Sequence, residues 1–147
     1  MAILDKTKKP YIADRDNKVF IGIDLPIRKS DGSEGYFAST STTIEAVKNN
    51  IKNLVSTEKG ERLMQPTFGL GIKKYLFNPF TDETILNIQT DISDTFNFWL
   101  PFVQIKDLEV SMNESDSIGK NKMLINIMFS IKHDPNTIDS VQIEIGE

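Results

Sequence analysis

The sequence predicts an α+β domain: an antiparallel sheet with two main helices packed on one face. Two early segments repeat apolar residues every three or four positions, and three late segments repeat them every second position. Short polar loops separate the three late runs, which makes an antiparallel meander the simplest topology. At 147 residues the chain has an ordinary single-domain length, enough to hide about 70% of the surface its unfolded form exposes. Its 39% apolar and 26% charged residues lie near globular averages.

Taken in order, residues 1–16 are polar, contain Pro10 and show no sustained period, so they read as a flexible arm before a single domain at 17–147. Val19, Ile21, Ile23, Leu25 and Ile27 then alternate with Phe20, Gly22, Asp24 and Arg28, the pattern of a half-buried strand that Pro26 places at an edge or an end. The segment RKSDGSEGYFASTS reads as a loop. Thr42 and Glu45 have capping-box spacing. Behind them Ile44, Val47, Ile51, Leu54 and Val55 form one helical face, with Lys48, Asn49, Lys52 and Asn53 on the other. Gly60 follows as a turn residue.

The stretch EKGERLMQPTFGLGIKKYLFNPF has no period, so tertiary contacts must organise it. A second helix starts near Thr81, with Asp82 and Glu83 at its positive end, carries Ile85, Ile88, Ile92, Phe96 and Trp99 on one stripe, and stops at Pro101. The first late strand changes phase across Asp107, where a bulge is expected. After a turn in NESDSIGKN, Met123, Ile125, Ile127, Phe129 and Ile131 mark the second. A turn at Asp134 and Pro135 precedes the last, with Val141, Ile143 and Ile145 facing one way and Gln142 and Glu144 the other.

The residue inventory excludes several chemistries. Without cysteine there is no disulfide, thiolate zinc site or thiol nucleophile, and His133 alone cannot build a multi-histidine metal centre. No apolar run approaches the roughly 18 residues of a membrane span, and the N-terminus lacks a signal-peptide core. Net charge is −4 with interleaved signs, and the one basic cluster, Lys6, Lys8 and Lys9, lies in the arm, so neither nucleic acid nor membrane is an expected partner.

The middle block carries a resemblance. Thr57, Gly60, Glu61 and Arg62, then Pro66, Phe68 and Gly69, then Leu76 and Phe77, stand in an order like the T-x-x-G-E-R, P-x-F-G and Leu-Phe elements of baseplate wedge subunits from contractile-tailed phages. That family, at times labelled lysozyme-like, has relatives in type VI secretion and other contractile injection machines. The resemblance covers about residues 40 to 146, including the Asp-Pro turn near the end. It implies a structural subunit of the virion's tail baseplate, assembled in the host cytoplasm. It further implies no catalytic activity, cofactor or metal, and a role in joining the inner baseplate to the first ring of tail sheath and nucleating sheath assembly. The implied partners are other wedge proteins including a helical core bundle, the sheath protein, and central hub or tube proteins.

One position departs from the family pattern. Where it usually has Glu-Pro-Arg, tied to docking on the core bundle, this chain has Leu100, Pro101 and Phe102, so any docking there is expected to be apolar. The last strand, Val141, Gln142, Ile143, Glu144 and Ile145, is the expected sheath-facing edge, because edge strands present unpaired backbone groups.

Alternatives are weighed on the same residues. Glu61 and Arg62 read as a structural ion pair ahead of an interface pair, and Gly60, Gly69 and Gly71 as turn geometry rather than an anion cradle, since no phosphate-loop spacing accompanies them. Phe96 and Trp99 read as core; Phe98 and Phe102 are interface candidates. The rival function is a peptidoglycan-degrading, lysozyme-like enzyme. It needs two carboxylates about 5–10 Å apart with one in an apolar pocket. Only Glu61 has a pocket-like setting, and the cationic Arg62 stands beside it, unlike the apolar surroundings a general acid needs. His133 next to Asp134 reads as a strand-end surface residue.

Overall fold

Thr42 and Thr81 each start a helix where their spacing predicts. Both are extended at the N-cap, and their Oγ1 atoms accept the N–H of Glu45 at 3.4 Å and of Thr84 at 3.3 Å. Each bond satisfies a donor that a helix start leaves without an intrahelical partner, worth about 1 kcal/mol. A computed structural model describes residues 20–30, 35–79, 81–114 and 121–146. The element order is β1 (Gly22–Ile23), β2 (Ser39–Thr40), α1 (Thr43–Ser56), α2 (Lys73–Leu76), α3 (Asp82–Trp99), β3 (Val103–Glu114), β4 (Asn121–Ile131) and β5 (Asp134–Gly146).

The three late strands form the expected antiparallel meander with β4 in the centre. Alternation along β4 sends Met123, Ile125, Ile127 and Phe129 to one face, where all four are fully buried. Val103 of β3 and Val141, Ile143 and Ile145 of β5 lie on that same face, and α1 and α3 cover it through Val47, Ile51, Leu54, Val55, Ile88, Ile92 and Phe96. Gln104, Asp107, Glu109, Asn126, Gln142 and Glu144 occupy the opposite face, as the register requires. The phase change in β3 is a bulge at Lys106: Ile105 pairs with Phe129 and Leu108 with Ile127, so both stay on the inner face.

Several expectations are corrected. The N-terminal strand shrinks to Gly22–Ile23 and pairs with Ser39–Thr40 in a separate two-stranded sheet, so the segment expected to be a loop supplies its partner. Phe20, Ile21, Ile23 and Ile27 are exposed rather than half-buried. The physical reason lies on α1. Asn49 Nδ2 donates to the Ile23 carbonyl at 3.2 Å and Lys52 Nζ to the Leu25 carbonyl at 3.1 Å, so the ribbon is held by its backbone and its apolar side chains find no core. Asn49, placed by its spacing on the polar face of α1, is buried beneath it.

The second turn is also displaced. It falls at Lys132–His133, and Asp134 already pairs with Ile131 across a register shift, so the Asp-Pro step begins β5. His133 is exposed in that turn. The short helix α2 carries no periodic signal because it is a single turn. Residues 1–16 with Lys6, Lys8 and Lys9, together with Val19 and the tip of the β3–β4 turn at 115–120, lie outside the described residues.

Two glycines test the packing account. Gly60 (φ +89°) and Gly69 (φ +109°) both occupy the left-handed region, but an added Cβ meets nothing at Gly60 and the Thr57 carbonyl oxygen at 2.4 Å at Gly69. Gly60→Ala should cost about 1–2 kcal/mol of backbone strain alone. Gly69→Ala should cost about 3 kcal/mol or more, because the close backbone contact adds to the strain. Urea unfolding of the two variants checks this; equal losses would show that the approach to Thr57 does not matter.

Candidate docking surfaces

The motif segment after α1 is built from the helix end outward. Thr57 Oγ1 donates to the Asn53 carbonyl at 2.6 Å, and the Thr57 carbonyl accepts from Leu70 N–H at 3.1 Å. The Gly60 N–H closes the loop on the Pro66 carbonyl at 2.8 Å. Glu61 and Arg62 bond different neighbours. Glu61 Oε2 accepts from Glu58 N–H at 3.0 Å; Arg62 Nη2 donates to Asn53 Oδ1 at 2.9 Å, and its guanidinium lies 4.0 Å from the centre of the Phe68 ring. The expected ion pair between the two is thus replaced by separate anchors within the loop.

Phe68 carries the loop to the end of α3. Its ring meets Trp99 edge-on at 5.1 Å between centroids, and Trp99 meets Phe98 the same way at 5.1 Å. Aromatic pairs at this geometry contribute about 0.5–1.5 kcal/mol beyond burial. The stack Arg62–Phe68–Trp99–Phe98 passes from three half-buried members to an exposed one: Trp99 packs on the core near the buried Phe96, while Phe98 is 74% exposed. Leu63 and Met64 are almost fully exposed on the same loop, and of the Leu-Phe pair Leu76 is buried and Phe77 exposed.

The Leu100–Pro101–Phe102 corner divides. Leu100 is only 8% exposed and belongs to the core, whereas Pro101 and Phe102 lie at the surface, Phe102 at 37%. The Phe102 carbonyl accepts from Lys132 N–H at 2.9 Å, which fixes the corner against the β4–β5 turn. At the far side of the sheet, Val141, Ile143 and Ile145 face the core, Gln142 and Glu144 are exposed, and β5 pairs only with β4 among the described residues.

A polar brace holds α2 to α3. Tyr75 OH donates to Asp91 Oδ2 at 2.6 Å and Lys74 Nζ to the same oxygen at 2.9 Å. Burial pushes the Asp91 carboxyl up, but the bonds from Tyr75 and Lys74 outweigh it and hold the group below its ordinary value. The bond to Asp91 raises Lys74, and burial followed by that same bond raises Tyr75. Asp24 is likewise held low, by Asn49 and Arg28 against the effect of burial. Both perturbed carboxylates therefore move away from what a general acid needs, and Glu61 stands exposed. Sequence reading missed the brace and the aromatic stack because each joins different elements with no shared spacing.

Comparison with known proteins gives concordant results. The family model described as Baseplate wedge protein gp25 matches residues 41–136. The chain is similar to Baseplate wedge protein gp25 of Enterobacteria phage T4, 23% identical over 130 residues, spanning 88% of this chain and 93% of that protein. Its fold is similar to a candidate tail lysozyme from Geobacter sulfurreducens at a TM-score of 0.60 and 24% identity, covering 72% of this chain and 92% of that one. It is also similar to a chain of the anti-feeding prophage baseplate at a TM-score of 0.61 and 24% identity, covering 75% and 83%.

The brace predicts a pH dependence. Because folding depresses the Asp91 pKa, its contribution is present above the unfolded value of about 3.9 and is lost as pH falls through the folded value. Side-chain exposures of 34% for Asp91 and 52% for Lys74 weaken the pair. Asp91→Asn should therefore cost only about 1 kcal/mol at pH 7, shrinking as pH drops below about 4. Chemical denaturation of both proteins across pH measures this, and a gap that persists in strong acid would contradict it.

Proposed function

The chain belongs to the Baseplate wedge protein gp25 family, and on that premise we propose that it is a structural part of the baseplate of a contractile injection machine, most simply a phage tail. In this reading it joins the inner baseplate to the first ring of tail sheath and nucleates sheath assembly. The observation that carries the reading is the form of β5: a long edge strand, free on one side among the described residues, with one row of side chains anchored in the core. A sheath strand can add to such an edge by backbone hydrogen bonds alone, with no pocket and no chemistry required.

The opposite end supports attachment to the wedge. Pro101, Phe102 and Phe98 form an apolar corner stiffened by the Trp99–Phe68–Arg62 stack. Exposed aromatics on a rigid support are favoured as interface anchors, because little side-chain entropy is lost on binding. In this family such a corner would meet the helical core bundle of the wedge, here by apolar contact. Hub or tube proteins complete the set of neighbours, and the place of action is the virion, after assembly in the host cytoplasm.

No reaction is assigned. The lysozyme-like alternative has no favouring observation: Asp24 and Asp91 are both pushed toward the ionised form, and Glu61 lies on an exposed turn with its carboxylate accepting a backbone N–H. Incubating the purified protein with peptidoglycan tests it directly. Turnover that Glu61→Gln abolishes would replace the structural reading.

Electron cryomicroscopy of the particle that contains this chain should place it in the inner baseplate against the first sheath ring, with Phe102 buried on a helical partner. Removing residues 141–147 is a poor probe of the sheath edge, because it strips Val141, Ile143 and Ile145 from the core. Gln142→Pro is better. It removes one edge donor and is tolerated in edge strands, so the protein should stay folded while baseplates carrying it no longer start sheath. Normal sheath growth on such baseplates would refute the β5 docking edge. Phe98→Ala should cost less than about 1 kcal/mol of stability yet weaken binding to wedge partners.

A further inference from the structure

The β1–β2 ribbon is closed on itself. Ile21 N–H donates to the Thr40 carbonyl at 2.8 Å, Asp24 N–H to that of Ala38 at 2.9 Å, Ala38 N–H to that of Arg28 at 3.0 Å, and Ser30 N–H to that of Tyr36 at 3.1 Å. Side chains add to the set: Thr40 Oγ1 donates to the Gly22 carbonyl at 3.3 Å, and the Arg28 guanidinium pairs with Asp24 at 2.7 Å. Each of these bonds has both ends between residues 21 and 40, so the set can move together without breaking.

Its contact with α1 is polar and open. Asn49 Nδ2 donates to the Ile23 carbonyl at 3.2 Å and to Asp24 Oδ1 at 3.5 Å, and Lys52 Nζ to the Leu25 carbonyl at 3.1 Å. Between ribbon and helix lies a hollow of about 260 Å³, lined by Asp24, Arg28 and Thr40 on one side and Glu45, Lys48 and Lys52 on the other. A polar hollow of this size admits water, which competes for the same bonds. Among the described residues the buried apolar side chains begin at Val47, after the ribbon. The start of α1 is also independent of it, because the cap Thr42 lies beyond β2 and bonds Glu45 within the helix. Ser41 alone separates β2 from that cap.

We infer that the β1–β2 ribbon is a strap that opens from α1 as one unit, about the joint at Ser41, while the sheet and helices stay folded, with Asn49 and Lys52 as its clasps. A segment tied by polar bonds and lacking buried apolar contacts opens locally at a lower free energy than the domain unfolds. Ile21, Ile23, Ile27 and Phe37 are already exposed when the strap is closed, so opening brings little new apolar surface into water and its cost falls on the clasp bonds. The open form bares Asn49 and Lys52 and swings those apolar side chains away from the body. Lys48, on the same flank of α1, is not a clasp: it pairs with Asp139 of β5 at 2.8 Å and braces the body itself. The strap behaves in this way whatever the domain binds.

Native-state amide exchange on the purified full chain tests this, read as protection relative to the unfolded chain. The amides of Ile21, Asp24, Ser30 and Ala38 should share one level of protection, at least about a hundredfold below that of Ile125 and Ile127 in β4, and respond far less to low urea. Asn49→Ala should lower all four by one factor, about threefold to tenfold. It should leave Ile125 and Ile127 no less protected, since alanine is the better helix former. Lys52→Met should act in the same direction on the same four amides. A ribbon protected as strongly as β4, or a β4 that loses protection in step with the ribbon in Asn49→Ala, would overturn the strap. Four amides that respond separately would show that there is no unit, and four that exchange like an unfolded chain would show that there is no closed state; either result refutes it.

Discussion

The buried row of β4 sets what every other element can do. Met123, Ile125, Ile127 and Phe129 have no exposed surface, and strands on either side must match their register or carry their own apolar residues into water. The bulge at Lys106 is one consequence. β3 changes phase there, and the extra residue lets Ile105 and Leu108 both keep facing that row. The helices follow the same demand: the apolar stripes of α1 and α3 are the roof that this row requires, and the loop from Thr57 to Ile72 closes the remaining gap through Leu70 and Ile72.

Elements whose pattern is local were legible in the sequence. Thr42 and Thr81 announce helices because a cap and the stripe behind it lie within one or two turns, and the three late strands announce themselves by strict alternation. The N-terminal segment failed for a physical reason. Alternation reports a strand with two different faces, but it does not say that a core exists for the apolar one, and here Asn49 and Lys52 hold the backbone while Ile21, Ile23 and Ile27 face outward.

The surfaces were legible only in part. Leu100, Pro101 and Phe102 are adjacent in sequence, yet the end of α3 turns Leu100 into the core and leaves the other two outside. Phe98, off the helical stripe, is exposed as that position requires. The links from Phe68 to Trp99 and from Tyr75 to Asp91 join positions sixteen or more residues apart on separate elements, so spacing carried no trace of them. The bond by which Gln89 reaches the Leu108 carbonyl from another element likewise left no trace in spacing.

The ribbon of β1 and β2 has a different standing from the rest. It is fastened to the polar flank of α1 by hydrogen bonds and contributes none of the fully buried apolar side chains. The family match begins at residue 41, immediately after it. Such an attachment behaves as an external fitting: its outward side chains can be exchanged without opening a cavity in the interior. The chain can therefore adapt to a new neighbour at this flank while the sheet and its two helices stay as they are.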